Sequence, residues 1–267
     1  MAKKIDSSIQ LLNLSLFSSS KTQLLSILEN RLKEEKFTLI FTPNPEQVVQ
    51  SKENQEFKTN LAQADILLPD GIGLVWASQL LYLKGKSKKL KERIAGREVV
   101  TDLLGLAEKK NFKVLVVGGR KYKTISNSQF SIINQVSKLK FKNFQNIYWL
   151  PGYQDVSNSS QEEEQLVEKT IGALKPQIVF VALGAPLQEK WLVEHKKLLQ
   201  QAGVILGMAV GGTFDYLLGI VSRCPEWLSN LGLEWLFRLV TQPWRLKRQL
   251  RLIKFVGLVV GEVFKQD

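Results

Sequence analysis

Ile178-Val179-Phe180-Val181-Ala182-Leu183, followed by Gly184-Ala185-Pro186-Leu187-Gln188-Glu189, decides the architecture. The first six residues form a short, β-rich and wholly apolar run, the pattern of a strand covered on both faces. The next six hold a glycine and a proline, then restart in a helical pattern. The same sentence of strand, turn and helix recurs in both directions. Towards the N terminus lie Phe37–Phe41 (FTLIF), Ile66–Leu68, Lys113–Val117 (KVLVV) and Ile147–Leu150; towards the C terminus lies Val204–Val210. Between them run helical patterns at Lys21–Glu35 (Leu24, Leu25, Leu28, Leu32), Pro45–Ala64 in two pieces, Ile72–Leu83 and Arg97–Lys110. Nearly continuous apolar strands alternating with helices predict an α/β fold with a mostly parallel sheet and helices on both faces. No internal repeat or low-complexity segment interrupts the pattern.

The chain has 267 residues, 44% of them hydrophobic, which suffices for one large domain or a domain with an appendage. Cys224 is the only cysteine, so an intrachain disulfide framework is excluded and a reducing cytoplasm is expected. The opening MAKKIDSSIQ lacks the apolar core of a secretory signal, and no stretch approaches the ~18 apolar residues of a membrane span. A formal net charge of +12 points to a polyanionic partner: nucleic acid, an anionic membrane or a phosphate-bearing substrate.

The location of that charge is informative. From about residue 220 the pattern is helical only, with Pro225 and Pro243 as helix starts. Between Arg238 and Lys254 stand six basic residues and no acidic one, interleaved with Trp244, Leu246, Leu250, Leu252, Ile253, Phe255 and Val256. Such a helix can lie in a membrane interface, where each Lys or Arg adds about 1 kcal/mol, or pack on the core with a solvated basic face. A second basic cluster, Lys84–Arg93, holds six basic residues against Glu92 and reads equally well as a solvated loop.

Ligands of open α/β sheets sit beyond the carboxyl ends of the strands. Five strand ends carry suitable residues: Thr42-Pro43-Asn44-Pro45-Glu46, Pro69-Asp70-Gly71-Ile72-Gly73, Gly118-Gly119-Arg120, Gly184 to Glu189, and Gly211-Gly212-Thr213-Phe214-Asp215. Glycine allows a ligand to approach the backbone, and a helix N-terminus favours phosphate. Together these ends predict a nucleotide-type pocket. Gly118-Gly119 does not complete G-x-G-x-x-G, and no Walker lysine motif, D-x-D pair or Cys/His cluster is present, so neither a dinucleotide nor a metal is expected. His195, the one histidine, is expected at the surface. Asp70 stands out at the mouth of the pocket. It admits two readings, a general base for an attacking hydroxyl or an N-cap for the next helix. Asp215 has the same ambiguity.

The segments TPNPEQ, ADILLPDGIGLVWAS, RIAGRE, VVGG, ALGAPLQEKW, VGGTFDYLLGIVSRCPEWLSNLGLEWLFRL and QPWRLKR occur in one order from about Phe37 to Arg248. In this the chain resembles the WecG/TagA/CpsF family of bacterial glycosyltransferases. The resemblance implies a Rossmann-like α/β core over residues 1–220 and a C-terminal helical appendage over residues 221–267. It implies inverting transfer, without a metal or other cofactor, of a UDP-activated sugar, often N-acetylmannosamine, to a polyprenyl-diphosphate-linked sugar in cell-surface polysaccharide or teichoic acid assembly. Asp70 matches the family's proposed catalytic base. Thr42, Asn44, Arg93, Gln188 and Asp215 match its polar pocket positions, and Arg238, Arg245 and Arg248 match appendage arginines that close over the site and contact the diphosphate. The family pattern further implies a peripheral position on the inner face of the plasma membrane, and self-association through the core is open to it. Cys224 and Leu187 depart from the family's usual Ala and Lys, and Leu187 bears on the identity of the sugar.

The physical requirements agree with the resemblance. An inverting displacement needs a base on the acceptor side and stabilisation of the leaving diphosphate. Without a metal, arginines and helix N-termini supply the latter. Competing readings are a UDP-hexose transferase such as a glucosyltransferase, a non-catalytic nucleotide-sugar binder, and a nucleic-acid-binding protein. The last lacks any recognisable motif, so nucleic acid is not an expected partner.

Overall fold

The computed structural model describes residues 7–119, 124–126, 131–133, 145–222, 224, 225, 228, 233–241 and 246–265. It opens with a hairpin of β1 (Ser8–Leu11) and β2 (Leu14–Phe17), followed by α1 (Lys21–Lys33). The hairpin was not expected from the sequence. Leu12 and Asn13 both take positive φ, 48° and 71°, the two-residue turn whose twist suits a tight antiparallel pair.

An eight-stranded sheet follows. Its parallel part is formed by β3 (Thr38–Phe41), β4 (Ile66–Leu67), β5 (Val114–Gly118), β8 (Ile147–Leu150), β9 (Ile178–Ala182) and β10 (Leu206–Ala209). The spatial order is β4-β3-β10-β9-β5-β8, extended beyond β8 by two antiparallel strands, β7 (Ser131–Ile133) and β6 (Thr124–Ser126). That short antiparallel edge is a second feature the sequence pattern did not announce.

The chain first builds β3 and β4 on one side, then β5 to β8 on the other. Only afterwards do β9 and β10 fill the space between β5 and β3. The opening stretch IVFVA is therefore a central strand, buried at every residue. Its side chains divide by the two-residue period of a strand. Val179 and Val181 join one core, while Ile178, Phe180 and Ala182 join the other.

The first core is roofed by α2 (Pro45–Glu53), α3 (Gln55–Ala62), α4 (Ile72–Leu83), α6 (Gln161–Leu174), α7 (Leu187–Glu194) and α8 (Lys196–Gln201). The second is roofed by α1, α5 (Gly96–Lys110) and α9 (Thr213–Leu217). Helices thus cover both faces, as expected. Local chemistry sets their limits. Ser20 and Gln23, Asn44 and Gln47, and Ser160 and Glu163 form capping boxes at α1, α2 and α6. Asn111 ends α5 in the left-handed region. The inward face of α5 carries Val99, Val100, Leu103, Leu104 and Ala107, all fully buried; each large side chain there contributes about 1.5–3 kcal/mol.

Among the described residues the C-terminal helices are α10 (Glu234–Thr241) and α11 (Leu246–Phe264). Phe255 and Val259 of α11 are buried in the first core, against α2 and α4. Lys254 pairs with Glu53 of α2 at 2.5 Å. Pro243, expected to begin a helix, lies outside the described residues; Leu228 donates its backbone N–H to Pro225 O, a turn at the other expected start. Cys224 is buried.

Candidate active site

The carboxyl ends of β4, β3, β10 and β9 open into one cleft of about 240 Å3. It lies where β9 and β10 were inserted beside β3, and each strand contributes the loop that follows it. Thr42 and Asn44 come from β3, Asp70 and Arg93 from the segment after β4, Gln188 from the helix after β9, and Gly211, Gly212 and Thr213 from the end of β10. The fifth candidate end, Gly118-Gly119 after β5, does not line this cleft. At Gly118 (φ +81°) a Cβ would stand 2.4 Å from Leu183 Cδ2, and Trp149 Nε1 donates to its carbonyl. That glycine serves close packing of strand ends.

Asp70 is not the cap of the helix that follows it. The N-cap of α4 is Gly71, without a side-chain bond. Instead the Asp70 carboxylate crosses to α5, where its Oδ2 accepts from Gly96 N at 3.3 Å. Its Oδ1 lies 3.8 Å from Arg93 Nε. Gly96 is packed so closely that a Cβ would touch Thr42 Cγ2 at 3.0 Å. The backbone N–H of Asp70 is itself fixed by Pro43 O. A helix N-terminus and a guanidinium, both remote in sequence, thus orient a carboxylate whose side chain remains one-third exposed to the cleft.

The opposite wall rests on a buried polar bolt. Gly211 N donates to Gln188 Oε1 at 3.0 Å, and Asn44 N donates to Gln47 Oε1 at 3.1 Å. Each bond fixes which end of the glutamine amide is oxygen. Both Nε2 groups then point at Glu189 Oε1, at 2.9 Å from Gln188 and 3.2 Å from Gln47. Glu189 is completely buried, and its Oε2 has no hydrogen-bond partner. Burial pushes its carboxyl up to about 7, against the lowering effect of the bonds from Gln188, its own backbone N–H and Gln47. This residue ties together the loops of β3, β9 and β10. It lies within the strand-end motif Gly184 to Glu189, where nothing local distinguishes a bolt from a solvated glutamate.

Thr42, Asn44, Asp70, Arg93 and Gln188 are therefore brought together. Asp215 stands beside the cleft rather than in its lining, where α9 presents Thr213 and Tyr216. Leu187, the first residue of α7, also lies off the lining. Arg245 lies outside the described residues, as do the side chains of Arg238 and Arg248, and Arg120. The cleft includes residues not selected beforehand: Glu46, Gln47, Gln50 and Arg97, and Arg251 from α11. Arg251 sat within the basic run, three residues after Arg248, so helical spacing was the available signal. Among the described residues no three His, Cys, Asp or Glu side chains converge as metal ligands would.

His195 departs from the surface position expected for it. Its side chain is only 12% exposed, stacks on Trp191 at 4.2 Å and sits between two acceptors. Nδ1 faces Trp191 O and Nε2 faces Glu164 Oε2, each at 3.0 Å. Tyr153 donates to the same carboxylate oxygen and accepts from Trp191 Nε1. Burial, with the neighbouring Glu164 charge, raises the Tyr153 hydroxyl far above its ordinary range. This cluster binds α6 to α7 and away from the cleft.

The model of the glycosyl transferase WecG/TagA/CpsF family matches residues 9–267. A protein of Bacillus subtilis (strain 168) named N-acetylglucosaminyldiphosphoundecaprenol N-acetyl-beta-D-mannosaminyltransferase is 33% identical over 251 residues, 94% of this chain and 90% of the relative. A protein of the same name from Bacillus spizizenii (strain ATCC 23059 / NRRL B-14472 / W23) is 35% identical over 243 residues, 91% and 86% of the respective chains. With a carboxylate and arginines gathered at the strand ends and a family match along nearly its whole length, the chain belongs to the WecG/TagA/CpsF family of glycosyltransferases.

Proposed function

We propose that the cleft transfers a sugar, N-acetylmannosamine by analogy with the named relatives, from a UDP-sugar to a polyprenyl-diphosphate-linked sugar with inversion and without a metal. The observation that carries this reading is Asp70: a carboxylate oriented by Gly96 N–H and Arg93, in a cleft that also receives Arg97 and Arg251. The acceptor hydroxyl oxygen attacks the anomeric carbon while Asp70 takes its proton. The bond from that carbon to the diphosphate breaks, and the electron pair leaves on the phosphate oxygen of UDP. Arginines stabilise the charge that develops there, because a planar guanidinium meets phosphate through two parallel N–H bonds. Thr42, Asn44 and Gln188 line the donor side. Asp215 of α9 stands beside them as a further polar contact for the substrate.

Residues 1–220 act as the catalytic core and 221–267 as an appendage that brings Arg238, Arg245 and Arg248 to the diphosphate. The placement of Arg251 in the cleft lining supports this, since it comes from the same helix as Arg248. The protein works as a peripheral enzyme on the inner face of the plasma membrane, in polysaccharide or teichoic acid assembly. Among the described residues no helix is long and apolar enough to cross a membrane, while α11 leaves Leu250, Ile253, Val256, Val260 and Phe264 exposed. An apolar outward stripe on a basic helix suits an interfacial position.

The test is UDP release by the full chain with EDTA present, offering a panel of UDP-sugars with a polyprenyl-diphosphate-N-acetylglucosamine analogue in detergent. Acceptor-dependent turnover with UDP-N-acetylmannosamine is expected. Turnover with a UDP-hexose instead reassigns the donor, and turnover only with added divalent metal removes the metal-independent mechanism.

A further inference from the structure

The helix α4, IGLVWASQLLYL, contains no charged residue. Leu74, Ala77, Ser78 and Leu81 are buried, so one face belongs to the core. The outward face should then be polar. It is not. Trp76, Leu80 and Leu83 stand at i, i+4 and i+7 with 57%, 40% and 76% of their surface exposed.

The segment after the helix supplies the missing charge. Lys84, Lys86, Lys88, Lys89 and Lys91 follow with no acidic residue from Gln79 to Lys91. The segment is held in place: Leu90 is buried with its N–H on Ser78 Oγ, and Ser87 Oγ donates to Gln10 O. Glu92, the nearest acid in sequence, accepts from Lys21 N instead. Lys84, Lys88, Lys89 and Lys91 are exposed.

The surroundings identify the occupant. At one end of α4, Phe255 Cε1 lies 3.8 Å from the Cβ position of Gly73; at the other, Lys86 Nζ donates to Lys265 O. The helices α4 and α11 therefore run side by side in one direction, each with an exposed apolar stripe. A twofold contact of two copies through this face would set lysine segments of both at one interface, with no acid in either to answer them. An anionic lipid surface answers both features at once: its interior takes Trp76, Leu80 and Leu83, and its headgroups take the lysines.

We propose that the outer face of α4 with the Lys84–Lys91 segment is a core-borne docking surface for anionic lipid, adjacent to α11. This goes beyond the proposed function, which assigns membrane contact to the appendage alone, and it holds irrespective of which sugar is transferred. The test uses the full chain and flotation on vesicles of phosphatidylglycerol with phosphatidylcholine, or phosphatidylcholine only. Two variants are compared, W76S/L80S/L83S and K84Q/K88Q/K89Q. The apolar variant should need at least tenfold more lipid for half-maximal binding. The lysine variant should need on the order of a hundredfold more on anionic vesicles and be unchanged on neutral ones. Both should retain UDP-sugar binding in detergent, which shows that they fold. Binding to anionic vesicles equal to the parent overturns the proposal. So does a lipid-free dimer of the parent that W76S/L80S/L83S converts to monomer, since the face would then belong to a second copy. A parent that docks through these residues yet transfers no sugar to a detergent-solubilised acceptor sinks the catalytic reading and leaves the docking surface standing.

Discussion

Replacing Glu189 by glutamine should change how stability depends on pH, and the structure sets the size and sign. The carboxyl titrates near 7 when folded, against an ordinary value of 4.5. A folded state that holds the proton more tightly is favoured while that proton is bound. Below about 4.5 the residue carries no penalty. Between about 4.5 and 7 the unfolded chain ionises first, and stability falls as pH rises. Above about 7 the whole penalty applies, about 3 kcal/mol for a gap of this width. In E189Q the amide oxygen can still accept from Gln47 and Gln188, while the NH2 occupies the site of the partnerless Oε2. That leaves a buried donor unsatisfied at every pH, at a cost of about 1–3 kcal/mol. The protonated parent carries an O–H donor at the same partnerless position, so at pH 5 the two should differ little. By pH 8 the difference should have moved by about 2–3 kcal/mol in the variant's favour, since part of the penalty already applies at pH 5. Urea unfolding followed by tryptophan fluorescence at several pH values reads both curves, and subtracting them cancels the contributions of every group that the substitution leaves unchanged. A difference that stays constant from pH 5 to pH 8 refutes the assignment of a buried, pH-titrating Glu189.

Three further outcomes are expected. Asp70→Asn keeps UDP-sugar binding and loses about 10²- to 10⁴-fold in turnover, the range for removing a general base; unchanged turnover in a steady-state UDP-release assay removes that role. Arg251→Ala weakens UDP-sugar binding by roughly 10- to 100-fold in isothermal titration, the worth of a charged hydrogen bond to phosphate, and an unaltered affinity places Arg251 outside the donor site. Gly118→Ala costs about 2 kcal/mol in urea unfolding, because its φ of +81° is unfavourable to a Cβ that would also meet Ala182 C at 3.3 Å. A loss under 0.5 kcal/mol would show that the strand ends can relax apart.

Much of this protein follows from the chain read linearly. Apolar runs of four to five residues flanked by glycine, proline and capping residues settle strand and helix identity, because side-chain period and backbone capping act within a few residues. Ile72–Leu83 and Ile147–Leu150 coincide with their expected limits, and Pro45–Ala64 forms two helices as expected, with Asn54 as the junction that the structure supplies. Two hairpins escaped because their strands have only three or four residues and their pairing partners are themselves marginal patterns.

The strand-end motifs named the residues of the cleft, but only the sheet order decided which of them meet. Asp70 could cap its own helix or serve a distant one. Its partner, Gly96 N, is 26 residues away and reaches it only because the segment after β4 folds back across the ends of β3 and β4. Glu189 looks like any helix-opening glutamate until three loops close over it, and Arg251 enters the cleft only because α11 lays Phe255 and Val259 on the core. The sequence by itself determines what is local: periodicity, caps and turns, whose energies depend on neighbours along the chain. Burial, the desolvation that raises a carboxyl, and the meeting of distant loops depend on neighbours in space, and those exist only once the tertiary structure has formed.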